Sequence, residues 1–108
     1  MKFTLKKVDK FGWKGVNGLS IEIRENYSVS YIGIAVEIPR RKNTVNDRVY
    51  FIVEGKGKFS VGKKHMVLKK GEAAFIPKNT VYSYKPVGKV KLVEINEPPF
   101  SQEGEVIY

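Results

Sequence analysis

Arginine and tyrosine recur at a spacing of two in this chain, as Arg48-Val49-Tyr50 and as Tyr82-Ser83-Tyr84. In a β-strand, residues two apart point to the same side. Each pair therefore presents both of its functional groups to one face. Arg48 offers a forked, bidentate contact to a carboxylate or phosphate. The three tyrosines add apolar ring faces and hydroxyl donors. Groups of this kind on one face suit contact with an anionic or hydroxylated small molecule. A plainer alternative pairs Arg48 with Glu54 or Asp47 and uses the tyrosines as core filling, because a buried charge needs a partner.

Other chemistry-bearing residues carry less. His65 is the one histidine. It follows two lysines at a strand start, where a surface position is expected rather than a general base. Glu22, Glu37, Glu54, Glu72 and Glu94 are spread through the chain without a spacing that demands acid–base work. Trp13, in Phe11-Gly12-Trp13-Lys14-Gly15, suits a stacking platform or, as the preferred reading, packing of the N-terminal arm onto a barrel or across a dimer. No phosphate loop or dinucleotide glycine pattern occurs. The chain has no cysteine, which removes disulfides, thiolate metal sites and a cysteine nucleophile, and which fits a reducing, cytoplasmic setting.

The elements that must position these groups are short strands. Apolar segments recur with Gly, Pro or Asn between them about every 8–12 residues. Strands are expected around Ile21–Arg24, Tyr31–Ile38, Arg48–Val53, Lys58–Val61, His65–Leu68, Ala73–Ile76, Val81–Lys85 and Val90–Ile95. Hairpin turns fall at Gly62-Lys63-Lys64 and Pro86-Val87-Gly88-Lys89. No stretch of ten residues or so shows the 3.6-residue period of an amphipathic helix. The segment from Arg40 to Asp47, polar and without alternation, reads as the longest loop. About eight short strands with regular turns indicate an all-β sandwich or jelly-roll barrel.

The chain has 108 residues, 42% of them hydrophobic, enough for one domain with one modest core. The expected division is an N-terminal arm at 1–20, a barrel core at 21–97 and a tail at 98–108 that leaves the barrel after Pro98-Pro99. The charged start is not followed by an apolar run, so no signal peptide is read. No run reaches the roughly 18 apolar residues of a membrane span. The formal net charge is +9, from 20 Lys+Arg against 11 Asp+Glu. Sixteen of the basic residues are lysines, scattered without a block of five like charges. That pattern reads as a solvated surface rather than a nucleic-acid interface. Many lysines, no cysteine and a single glutamine also suit a heat-adapted protein.

The order and spacing of segments from about Tyr31 to Phe100 resemble the cupin family. Gly71 and Pro77 keep the spacing of the family's second motif, with Asn79 where a second glycine is usual. Asn tolerates positive φ better than most residues, so the turn survives. Val49-Tyr50-Phe51-Ile52-Val53-Glu54-Gly55-Lys56-Gly57 looks like the end of the first motif. Pro98-Pro99-Phe100 resembles a common ending of small cupins. The resemblance implies a double-stranded β-helix, that is, a jelly-roll barrel of the cupin type. Cupins usually hold a metal through two histidines and a glutamate in the first motif and a histidine in the second. Here Arg48 occupies the glutamate position and Tyr82 the last histidine position. The histidine pair falls at Arg41 and Asn43, or at Lys42 and Thr44. No expected ligand remains, so no metal and no other cofactor is expected. The expected function is metal-free binding of a small molecule at Arg48, Tyr50, Tyr82 and Tyr84. The alternatives are a metal-independent isomerase or epimerase of sugars and a weak, charge-driven nucleic-acid module. The resemblance also implies a homodimer, with an N-terminal strand such as Met1 to Val8 joining a partner's sheet edge.

Overall fold

The computed structural model describes residues 9–108. It contains eleven strands among those residues and no α-helix. They are β1 (Asp9–Trp13), β2 (Val16–Ile23), β3 (Ser28–Ile34), β4 (Ile38–Asn43), β5 (Asp47–Glu54), β6 (Lys56–Val61), β7 (Lys64–Lys69), β8 (Ala73–Ile76), β9 (Tyr82–Pro86), β10 (Val90–Glu97) and β11 (Glu105–Ile107). They form two antiparallel sheets. One has the order β1-β2-β3-β10-β5-β8 and the other β11-β4-β9-β6-β7.

Alternating burial along the strands makes the core. In β10, Val90, Leu92, Glu94 and Asn96 are buried, while the residues between them are half-buried or exposed. In β5 the same phase buries Arg48, Tyr50 and Ile52. The opposing sheet contributes Ile38, Phe59, Tyr82 and Tyr84. Ile52 and Leu92 are both fully enclosed, and each contributes about 2 kcal/mol of burial. This inward face is what carries the chemistry, since the polar residues Arg48, Glu94 and Asn96 lie on it among the aliphatic ones.

Turn chemistry agrees with the sequence. Gly62 has φ 59° and opens the β6–β7 hairpin. Asn79 has φ 64°, the one non-glycine residue with positive φ among those described. It holds the left-handed conformation that the family motif assigns to glycine.

Several expectations are corrected. The run from Tyr31 to Ile38 is interrupted: β3 ends at Ile34 and a new strand starts at Ile38. The expected loop from Arg40 to Asp47 is largely strand, because β4 finds partners on both sides, β9 and β11. Side-chain polarity hid it, since Arg40, Arg41 and Lys42 give no alternation to read. The tail does not simply leave the barrel. After Pro98-Pro99 it makes a 3-10 turn at Gln102–Gly104 and returns as β11, with Glu105 opposite Asn43. The boundary between arm and core at residue 20 falls inside β2. The strand expected at Met1 to Val8 lies outside the described residues.

Candidate functional site

Two sheets facing each other enclose a cavity of about 880 Å³. Phe11, Trp13, Phe100 and Ile107 line its exposed side, and Arg48 with the tyrosines lines its interior. The packing of the two sheets face to face, with β5 in one and β9 in the other, brings the four predicted residues together. Tyr50 on β5 and Tyr84 on β9 have ring centroids 5.3 Å apart. Tyr82 and Tyr84 stack at 10° between planes. The Arg48 guanidinium sits 5.5 Å from the Tyr82 ring centroid and 5.8 Å from that of Tyr50. Arg48, Tyr50, Tyr82 and Tyr84 are therefore one cluster, each pair on the inward face of its own strand.

Arg48 is only 3% exposed, and its partners are not those expected from sequence. Glu54 pairs with Lys91 at the surface, and the Asp47 carboxylate accepts from the Lys78 amide. Arg48 instead donates from Nε to Asn96 Oδ1 at 2.7 Å, with Glu94 Oε1 at 3.3 Å. Its Nη1 donates to the hydroxyls of Tyr50, at 3.2 Å, and Tyr82. Its Nη2 lies 3.9 Å from Glu105 Oε2, and this buried nitrogen has no hydrogen-bond partner among the described residues.

Glu105 comes from β11. Asn43 Nδ2 donates to its Oε2 at 2.9 Å, Arg41 Nη1 lies 3.6 Å from its Oε1, and the Tyr82 hydroxyl is 3.5 Å from the same oxygen. Sequence reasoning missed Glu94, Asn96, Glu105 and the role of Arg41. Glu94 and Asn96 had a readable signal: they continue the buried phase of Val90 and Leu92. Glu105 had none, because only the return of the tail brings it here.

Burial sets the protonation of the cluster. Desolvation pushes the Tyr82 hydroxyl up to about 12, against the opposing pull of Arg48. Tyr50 and Tyr84 are also raised, again chiefly by burial. Burial by itself would lower the pKa of Arg48, but the negative charge that Tyr50, Glu94, Tyr82 and Glu105 can carry raises it. At neutral pH the tyrosines are hydrogen-bonding phenols and Arg48 is a cation.

His65 lies apart, exposed on β7, with Nδ1 2.9 Å from Ser60 Oγ. Trp13 is 59% exposed at the cavity rim, so within the chain it is not packed against the barrel.

The family model for the cupin domain matches residues 32–96. The chain belongs to the cupin family. An uncharacterised protein of Methanocaldococcus jannaschii is 23% identical to this cupin over 87 residues, which are 79% of this chain and 70% of that one. Among solved structures, a tyrosine-to-phenylalanine variant of Streptomyces Pac13 with uridine has a TM-score of 0.86 at 17% identity, covering 100% of this chain and 89% of that one. Pac13 is a nucleoside dehydratase. Ectoine synthase from P. lautus has a TM-score of 0.83 at 13% identity, covering 100% and 89%. At these identities the likeness is one of fold.

The metal that cupins usually carry does not fit the residues here. Among the described residues no three His, Cys, Asp or Glu side chains cluster to hold an ion. Glu94 and Glu105 are separated by the guanidinium that both of them contact. A cation at the centre would meet that permanent positive charge.

Proposed function

We propose that this cupin binds a small organic molecule, anionic or hydroxylated, inside its barrel and without a metal. The observation that carries the reading is the convergence of Arg48, Tyr50, Tyr82 and Tyr84 on one cavity, with a buried Arg48 donor left unpartnered. An unpartnered buried donor costs free energy that a ligand oxygen would recover. The aromatic rim at Phe11, Trp13 and Phe100 suits a ligand with a planar or apolar end. The size of the cavity falls within the range of small-molecule sites. Uridine bound to a neighbour of the same fold supports a ligand of this general kind.

The test has two parts. Elemental analysis of tag-free protein, before and after dialysis against a chelator, is expected to find no stoichiometric metal. One metal per chain that survives dialysis overturns the metal-free part. A thermal-shift panel of nucleosides, sugars and carboxylates is then expected to contain a stabilising compound. A ligand at 100 times its dissociation constant adds about 2.7 kcal/mol. A broad panel without any shift overturns the binding part.

A second reading, a metal-independent enzyme acting on a sugar-like substrate, draws on Glu94, Glu105 and the Tyr82 hydroxyl. Carboxylates and a phenol around one cavity are groups that can move protons. His65 takes no part in it, being outside the cavity. Turnover unchanged in both Tyr82→Phe and Arg48→Ala variants would remove this site from consideration.

The proposal includes a homodimer. The outer face of the six-stranded sheet carries Leu19, Tyr31, Val93, Phe51 and Ala73 in one row across five strands, and Val29, Ile95, Val49 and Phe75 in the next. Phe51 and Phe75 are 43% and 60% exposed. The occupant that fits is a second copy. Each copy has a net charge of +9, so approach is least opposed through a face without charge at its centre. Lys91 and Glu97 stand at opposite ends of β10 on that face, and an antiparallel copy brings them together.

A further inference from the structure

The cavity holds two guanidinium groups and two carboxylates, and the way they share contacts restricts what can enter. Arg48 Nε is taken by Asn96 and Glu94, and Nη1 by two phenols. Nη2 is left, and it faces Glu105 Oε2 at 3.9 Å. That separation is too long for a hydrogen bond but short for an electrostatic interaction. Any ligand oxygen that accepts from Nη2 therefore sits beside the Glu105 carboxylate.

Glu105 is not free to withdraw. Its side chain accepts from Asn43 Nδ2 at 2.9 Å and lies 3.6 Å from Arg41 Nη1. Its backbone is paired with the same Asn43 across β11 and β4. It is fixed between Arg41 and Arg48, and with Glu94 it balances the charge of the two guanidinium groups. An incoming phosphate or carboxylate would meet a fixed like charge in a poorly solvated place. A hydroxyl meets none: it accepts from Nη2 and donates its own proton to the Glu105 carboxylate.

We infer that Glu105 is a specificity-determining residue, a built-in counter-charge that makes the cavity reject anions and accept uncharged, hydroxyl-bearing molecules. The inference rests on reading the cavity as a ligand site, and it narrows the ligand from anionic or hydroxylated to hydroxylated. It also gives the C-terminal strand a role in ligand choice, although that strand lies beyond the matched family segment 32–96.

The experiment is calorimetric titration at low ionic strength with inorganic phosphate and with malonate. The proteins are wild type, Glu105→Gln, and Glu54→Gln as a surface control that changes net charge equally. Glu54 is an exposed partner of Lys91, outside the cavity. Wild type and Glu54→Gln are expected to show no saturable anion binding. Glu105→Gln keeps an acceptor for Asn43 and is expected to bind phosphate at least about fivefold more tightly, the factor that one charge about 4 Å away is worth even in bulk water. Glu105→Ser gives the same reading if the amide disturbs folding, which a cooperative thermal melt checks.

Saturable phosphate or malonate binding by the wild type overturns the inference, whatever the variants do. So does an equal response in the Glu105 and Glu54 variants, or no gain in a folded Glu105 variant. Each of these leaves the binding proposal standing. A gain in Glu105→Gln alongside an empty thermal-shift panel has the opposite meaning: the counter-charge is real and the proposed ligand class is wrong.

Discussion

Arg48 is at the centre of the residue-scale account. A buried guanidinium is tolerated because two carboxylates, one amide oxygen and two phenols surround it. Removing one side of such an arrangement costs far more than its net contribution suggests, since the remaining charges stay buried. The phenols give a pH-dependent signature. Tyr82 is raised from its ordinary 10 to about 12 by burial, so above the unfolded value the unfolded chain has lost protons that the folded chain still holds. Stability from this source is complete below pH 10 and lost as pH rises through 12. Denaturant melts in that window should show falling stability. Tyr82→Phe, whose ring cannot ionise in either state, should show a shallower decline. An equal slope in both proteins would mean that the phenol is not protected by burial.

At the scale of elements, the turns place the strands in phase. Asn79 stands at φ 64° where its backbone amide bonds to the Asn43 carbonyl at 2.8 Å, tying the turn to the end of β4. Asn is among the few non-glycine residues at ease there. Asn79→Gly should therefore fold with stability within about 1 kcal/mol of wild type. Asn79→Val should lose about 1–3 kcal/mol, because a β-branched side chain is strained at positive φ. Chemical denaturation compares the two, and equal stabilities would show that the turn relaxes at no cost. The same connection sets the start of β9, so the strain would be felt at Tyr82.

For the whole molecule, the exposed apolar face decides the expected assembly. A monomer leaves Phe51, Phe75 and Ile95 partly in water on one face, and contiguous exposed apolar side chains suit a protein contact. Multi-angle light scattering should give the mass of a dimer. Phe51→Lys should shift the mass toward a monomer, because it adds a charge to the centre of the face on both copies. A monomeric wild type, or a dimer unaffected by Phe51→Lys, would place the interface elsewhere or remove it. The cavity lies on the inner face of the same sheet, so a dimer through the outer face would leave it uncovered.

Much of this protein was determined locally. That Arg48 shares a face with Tyr50, and Tyr82 with Tyr84, follows from the two-residue period of a strand; that both faces point inward is decided by the packing of the two sheets. Glycine and asparagine at the turns, and proline after the strands, made the barrel legible because their backbone preferences act within a few residues. Other features depended on pairing between distant segments. β4 was hidden because Arg40, Arg41 and Lys42 carry no alternation, and it exists because β9 and β11 supply its hydrogen bonds. Arg48 found Glu94 and Glu105 rather than its neighbours Asp47 and Glu54, because sheet order puts Glu94 on the adjacent strand and sheet packing brings Glu105 across from the other sheet. Glu105 is the clearest case: nothing near it in the chain announces a site, and only the fold of the tail back onto β4 puts its charge beside Arg48.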